Sequence, residues 1–136
     1  MIYLDSYVIL DIFSGEKRLI EKAKKYLSKT RKEGCVISTV VLTEVIFHLI
    51  RKGFENVIDD FLLFIDTFEK MKVIDVNMEI AVMAGRLRNK YYKKSECELS
   101  FLDCIHIATA ILTKCSRIIT GDKDFLKVKE IKAEVY

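Results

Sequence analysis

Ile2-Tyr3-Leu4-Asp5-Ser6 is the stretch on which the fold turns: three apolar residues, then a carboxylate and a hydroxyl. The apolar run is too short for a helix of its own and suits a strand buried on both faces, with Asp5 at its carboxyl end. Working outward, further strands are read at Cys35 to Ile37, Val73 to Ile74, Arg117 to Ile119 and Ile131 to Val135. Between most of them lie segments with helical spacing. From Glu16 to Lys32 the residues Leu19, Ile20, Ala23, Tyr26 and Leu27 share one face, and Gly34 can end that helix. Ser38 or Thr39 can cap a helix running to Gly53, and Phe54 to Met71 reads as another whose apolar residues cover more than one stripe. Met78 to Tyr92 and Phe101 to Leu112 make two more, joined by the polar connection Lys93 to Leu99, with Ser100 as a cap and a short turn near Phe125. Strands alternating with helices predict an α/β fold: one domain over residues 1–136, with a central parallel sheet of four to five strands flanked by α-helices.

Composition bounds the function classes. With 136 residues, 51% of them hydrophobic, the chain suits a single core, and no apolar run approaches the ~20 residues that cross a bilayer. No membrane association is expected. No basic, cleavable leader precedes the first strand, and Cys35, Cys97, Cys104 and Cys115 show neither metal-site pairing nor a disulfide framework, so reduced thiols in a cytoplasmic protein are expected. They read as small buried hydrophobes. The absence of proline and the five glycines argue against linkers. Net charge is +3, and basic residues cluster in Lys17 to Lys32 and Arg86 to Lys94. Solvated helix faces account for such clusters, while an anionic partner such as nucleic acid would also use them.

Four carboxylates carry the chemistry. Asp5 ends the first strand, and Asp122 follows the fourth strand by two residues after Thr120, so both should emerge at the carboxyl edge where open parallel sheets bind ligands. Glu44 lies in the early turns of one helix and Asp103 in the first turn of another, from which both can aim at that edge. Like charges brought together in a partly buried cleft raise one another's pKa, and a cation relieves the conflict. All-oxygen ligation suits a hard divalent ion such as Mg2+ or Mn2+, and such ions support in-line displacement at phosphorus. Each acid also has a local role open to it. Asp5 can cap a helix beginning near Ser6, Glu44 can be solvated near a helix start, Ser100 to Asp103 matches a capping box, and Asp122 follows Gly121 in a turn.

These residues together resemble the PIN domain family, and within it the VapC-type toxins of toxin–antitoxin pairs. The resemblance runs through Ile2-Tyr3-Leu4-Asp5-Ser6, Thr43-Glu44, Leu102-Asp103-Cys104-Ile105-His106-Ile107-Ala108-Thr109-Ala110 and Ile118-Ile119-Thr120-Gly121-Asp122-Lys123-Asp124-Phe125. It implies a Mg2+- or Mn2+-dependent endoribonuclease acting on RNA, a homodimer, and inhibition by a small VapB-like antitoxin protein. It also implies that Asp5, Glu44 and Asp103 are metal ligands with Asp122 as the fourth acid, supported by the hydroxyls of Ser6 and Thr120. Tyr7 departs from the family, which often has a small Ser or Asn there, and Asp124 is a second candidate for the fourth acid.

His106 shares a helix face with Asp103, three residues away; it reads as a packed histidine with one hydrogen bond satisfied, a ligand or base role being the alternative. His48 carries less information. A non-catalytic PIN-like module that binds RNA or protein is the alternative function, its mark being a missing acid; a small-molecule phosphotransferase would want Asp-x-Asp where this chain has Asp5-Ser6-Tyr7. The spare face of the helix from Phe54 to Met71, carrying Phe61 and Phe64, is a candidate dimer seam or antitoxin groove.

Overall fold

Strand β1 (Ile2–Leu4) is the middle of five. In the computed structural model, which describes residues 1–136, β1 has β2 (Cys35–Ser38) on one side and β4 (Arg117–Thr120) on the other. β3 (Met71–Ile74) and β5 (Ala133–Val135) are the edges, and every pairing is parallel, in the order β3-β2-β1-β4-β5. The chain therefore builds one wing outward from β1 through β2 to β3, then returns past β1 to start the other wing at β4. The reversal leaves a crevice beyond the carboxyl ends of β1 and β4.

Period-two alternation sends side chains of the central strands to opposite faces. Tyr3, Val36 and Ile118 enter one buried cluster with residues of α5 (Met78–Tyr91) and α6 (Phe101–Leu112). Ile2, Leu4, Cys35, Ile37 and Ile119 enter the other, against α1 (Ser6–Ser14), α2 (Lys17–Glu33), α3 (Thr39–Arg51) and α4 (Ile58–Thr67). Both faces are covered, which is why the strands read as continuous apolar runs. Cys35, Cys97 and Cys104 are buried, Cys115 is half-buried, and all four are free thiols.

The helix ends follow local chemistry. Gly34 takes φ +79°, a conformation that favours glycine, and its N–H returns to the Thr30 carbonyl at 2.8 Å, closing α2 directly before β2. Ser100 Oγ accepts from the Asp103 N–H at 3.1 Å while Asp103 Oδ2 accepts from the Ser100 N–H at 2.7 Å, a full capping box at the start of α6. The Arg88 guanidinium lies over the rings of Tyr92 and Phe101, tying the end of α5 to that start.

Two expectations are corrected. The segment from Phe54 to Met71 is not one helix: a 3₁₀ turn at Glu55–Val57 precedes α4, which stops at Thr67, and Met71 pairs with Cys35 in the sheet. Helical spacing continues through Phe68, but strand pairing with β2 claims the residues beyond it, a tertiary effect that periodicity does not carry. Phe61 is fully buried against its own chain and meets Phe13 edge-on, so the outer face of α4 is left to Leu62 and Leu63. Ser38 occupies the N-cap position of α3 without a side-chain cap bond, because its hydroxyl faces Tyr3 instead.

Candidate metal centre

Asp5 is 1% exposed at the end of β1, and both carboxylate oxygens are engaged. Oδ1 accepts from the Ser6 N–H at 2.7 Å and from Ser6 Oγ at 3.3 Å; Oδ2 accepts from Thr120 Oγ1 at 2.6 Å. Capping α1 and facing the crevice are thus one and the same position. Thr120 Oγ1 in turn accepts from the Asp122 N–H at 3.0 Å, so one hydroxyl orients an acid and the backbone of the next.

His106 stands at the centre. It is completely buried, its Nε2 lies 2.6 Å from Glu44 Oε2 and 3.5 Å from Asp5 Oδ1, and its Nδ1 lies 2.7 Å from the Tyr3 hydroxyl. Tyr3 oxygen also accepts from the Ser38 N–H at 3.1 Å and donates to Ser38 Oγ at 3.0 Å. That pattern is satisfied when His106 carries protons on both nitrogens. Burial works against the imidazolium, but the hydrogen bond to Glu44 and the charges of Asp5, Glu44 and Asp103 outweigh it and raise the His106 pKa. Burial also pushes Glu44 upward, yet the bond and charge of His106 hold it below its usual range. Asp5 is raised by burial, against the pull of His106 and Thr120, and Asp103 is raised by burial against its Ser100 bonds. Burial keeps the Tyr3 phenol protonated.

One donor atom each from Asp5, Glu44 and His106 lie within 4.8 Å of one another. Glu44, Asp103 and Asp122 line a single cleft of about 330 Å³ together with Ser6 and Tyr7. Two carboxylates thus meet at one buried histidine and two more line the cleft beside them, and the geometry comes from the topology: α3 reaches over from one face of the sheet, α6 from the other, and β1 and β4 end between them.

A profile of the PIN domain family matches residues 2–131. The chain belongs to the PIN domain family. Solved structures share its fold across nearly the whole length. VapBC2 from Rickettsia felis, bound to a DNA fragment of its promoter, superposes with a TM-score of 0.76 at 18% identity, covering 100% of this chain and 99% of that one. VapC20 of Mycobacterium tuberculosis, a toxin that cleaves the sarcin-ricin loop, gives 0.75 at 17% identity over 96% and 98%. FitAcB from Neisseria gonorrhoeae gives 0.74 at 19% identity over 98% and 96%. Likeness at these identities is likeness of fold, and no curated protein matches the sequence significantly.

Within this PIN domain the acids read from the sequence separate into groups. Asp5 and Glu44 meet around His106; Asp103 and Asp122 face the same cleft outside that tight cluster. Asp124 turns away: its Oδ2 accepts from the Glu98 N–H at 3.0 Å and its Oδ1 pairs with Lys127 at 2.7 Å, while its own N–H donates to Asp122 Oδ1 at 2.8 Å. Its contribution to the cleft is the backbone that orients Asp122. Tyr7 leaves the hydrogen bonding of Asp5 untouched and lays its ring on Gly121, where a Cβ would approach the ring to 3.0 Å. His106 and Tyr3 were undervalued by sequence reasoning. His106 has two bonded nitrogens rather than one, and its spacing from Asp103 was the available signal; for Tyr3 the signal was a lone hydroxyl-bearing aromatic in an apolar strand. No helix is long and apolar enough to cross a membrane.

Proposed function

We propose that this PIN domain is a metal-dependent endoribonuclease that hydrolyses RNA phosphodiester bonds as the toxin of a toxin–antitoxin pair. The observation that carries the reading is the meeting of Asp5, Glu44 and His106 donor atoms within 4.8 Å, beside a cleft that Glu44 lines together with Asp103 and Asp122. The donor set fits a hard divalent cation: carboxylates dominate, they are in excess over positive charge, and the crevice leaves room for water and a substrate phosphate. Mg2+ or Mn2+, when bound, polarises a phosphoryl oxygen and lowers the pKa of a coordinated water. Asp5, Glu44, Asp103 and Asp122 are the residues that would hold the cation. Ser6 and Thr120 fix Asp5, the Asp124 N–H fixes Asp122, and His106, braced by Tyr3, fixes Glu44. Such supporting hydrogen bonds commonly matter nearly as much as the ligands themselves.

The same reading assigns an RNA substrate, a VapB-like antitoxin protein as inhibitor, a homodimeric state and a cytoplasmic setting. Its support is the family membership and the likeness in fold to the toxin VapC20 and to a toxin–antitoxin complex from Klebsiella pneumoniae. Leu62, 40% exposed, and Leu63, 60% exposed, are the apolar residues α4 offers to a partner.

Asp5→Asn and Asp103→Asn test the proposal. Each should lower Mg2+- or Mn2+-dependent cleavage of total RNA by more than about 100-fold, beyond the 10–100-fold range of groups that only support a ligand. Folding should hold, since replacing buried Asp5 removes a charge that burial disfavours. Unchanged cleavage in either variant would defeat the assignment of these ligands, and no cleavage by metal-loaded wild type would leave a PIN-like module that binds without cutting.

A further inference from the structure

The acid-lined cleft has a second chemical character. Its wall includes His48 and Lys52 as well as Glu44, and these three recur at four-residue intervals along one face of α3 and its C-cap. Each step is about 6 Å along the helix axis, so Lys52 lies on the order of 12 Å from Glu44. The cleft is therefore anionic where the strands end and cationic where α3 ends.

Neither side chain has a carboxylate within ion-pair distance. The chain's ion pairs use Lys29, Lys90, Lys93, His106, Arg117 and Lys127, and none includes His48 or Lys52. Most residues of the basic clusters prominent in the sequence are likewise unpaired, Lys29, Lys90 and Lys93 being the exceptions, but no residue of either cluster lines the cleft. Lys52 at a helix C-terminus is favourable to the helix dipole, but any exposed position in the last turn would serve that purpose. Its place in the same cavity as the acids needs a different reason.

We propose that His48 and Lys52 form a phosphate track that holds the backbone of single-stranded RNA beside the scissile phosphodiester. The proposal rests on the nuclease reading for the identity of the anion and deepens it by naming the grip. A metal at the acids accounts for one phosphate; the spacing along α3 carries the strand onward to a neighbouring phosphate at His48 and Lys52. Tyr7, 48% exposed and also lining the cleft, offers a ring face to an unpaired base. A concave cleft of about 330 Å³ suits one strand with splayed bases, whereas an A-form duplex is read across its broad minor groove.

The test measures binding of a short oligouridylate in EDTA, so that nothing is cut, against KCl concentration. For single strands each neutralised phosphate contributes roughly 0.7 to the logarithmic salt slope. Lys52→Gln should lower that slope by about 0.7 and weaken binding several-fold at low salt, and Lys52→Arg should restore both. A neutral methylphosphonate at the contacted position should weaken the wild type and cost Lys52→Gln nothing further. Lys52 is exposed, so the variants should melt with the wild type. Equal slopes for wild type and Lys52→Gln overturn the proposal, as does failure of the wild type to bind the oligouridylate at low salt. A Lys52→Gln defect confined to binding a protein partner also overturns it and marks the track as a protein surface. Cleavage plays no part in the readout: a changed slope with no metal-dependent cleavage sinks the nuclease reading alone, and Asp5-dependent cleavage with an unchanged slope sinks the track alone.

Discussion

Two triads of the same formal composition sit at opposite ends of the central strands. At the carboxyl end, His106 stands between Asp5 and Glu44. At the amino end of β4, Arg117 stands between Glu33, which it meets through two nitrogens at 3.1 Å, and Glu134, at 3.1 Å. Both place one cationic group between two carboxylates, yet burial divides them. Glu33 and Glu134 keep 43% and 30% of their side-chain surface, and Arg117 pulls Glu33 below its usual pKa. Asp5 keeps 2% of its side-chain surface, and burial drives its pKa up in spite of His106. The open triad joins α2, β4 and β5 cheaply; the closed one holds charge where water cannot help it, at the switch point where a ligand can.

Breaking the closed triad should have the largest effect. His106→Ala leaves the Tyr3 hydroxyl and Glu44 without their buried partner, and removing one member of such a buried pair costs about 3–5 kcal/mol. Urea denaturation of the metal-free protein should show it as a lower midpoint, and a midpoint equal to wild type would mean that His106 is dispensable to the core. Thr120→Val is gentler. It deletes the 2.6 Å bond to Asp5 and the acceptor of the Asp122 N–H, and should lower metal-dependent cleavage about 10–100-fold, with Thr120→Ser restoring most of it.

The open triad should respond least. Arg117→Ala should shift the urea midpoint far less than His106→Ala, since exposed ion pairs gain little from Coulomb attraction in water. Its signature is pH dependence. The Arg117 hydrogen bond lowers the Glu33 pKa in the folded state, so the ionised form contributes stability above the unfolded glutamate value of roughly 4.3, and that contribution disappears as pH falls through the lower folded value. Wild type should therefore lose its advantage over Glu33→Gln on acidification below about pH 4.3, with a constant difference above pH 5. Melting curves of the two proteins across that range check the sign, and a gap that widened toward acid would refute the assignment.

The contrast also bears on what could be read in advance. The short apolar runs at Ile2, Cys35 and Ile118 marked three strands because parallel strands buried on both faces are apolar there, and Ser100-Phe101-Leu102-Asp103 marked the start of α6 because capping is local. The end of α4 was illegible: Phe68 continues the helical spacing, while the pairing of Met71 with Cys35 depends on a strand far away in sequence. Asp5, Glu44, Asp103 and Asp122 could each be named, but their division between the His106 cluster and the wider cleft could not.

Sequence alone determined the order of strands and helices, the apolar faces that cover the sheet, and which acids are candidates for the site, because periodicity, capping and turn chemistry act over a few residues. Only the tertiary structure decided that His106 from α6 and Glu44 from α3 meet over Asp5, and that Asp124 turns to Lys127 while Asp122 faces the cleft. Those facts depend on helices from opposite faces of the sheet converging past its edge, a relation set by the packing of both cores at once and written in no single stretch of the chain.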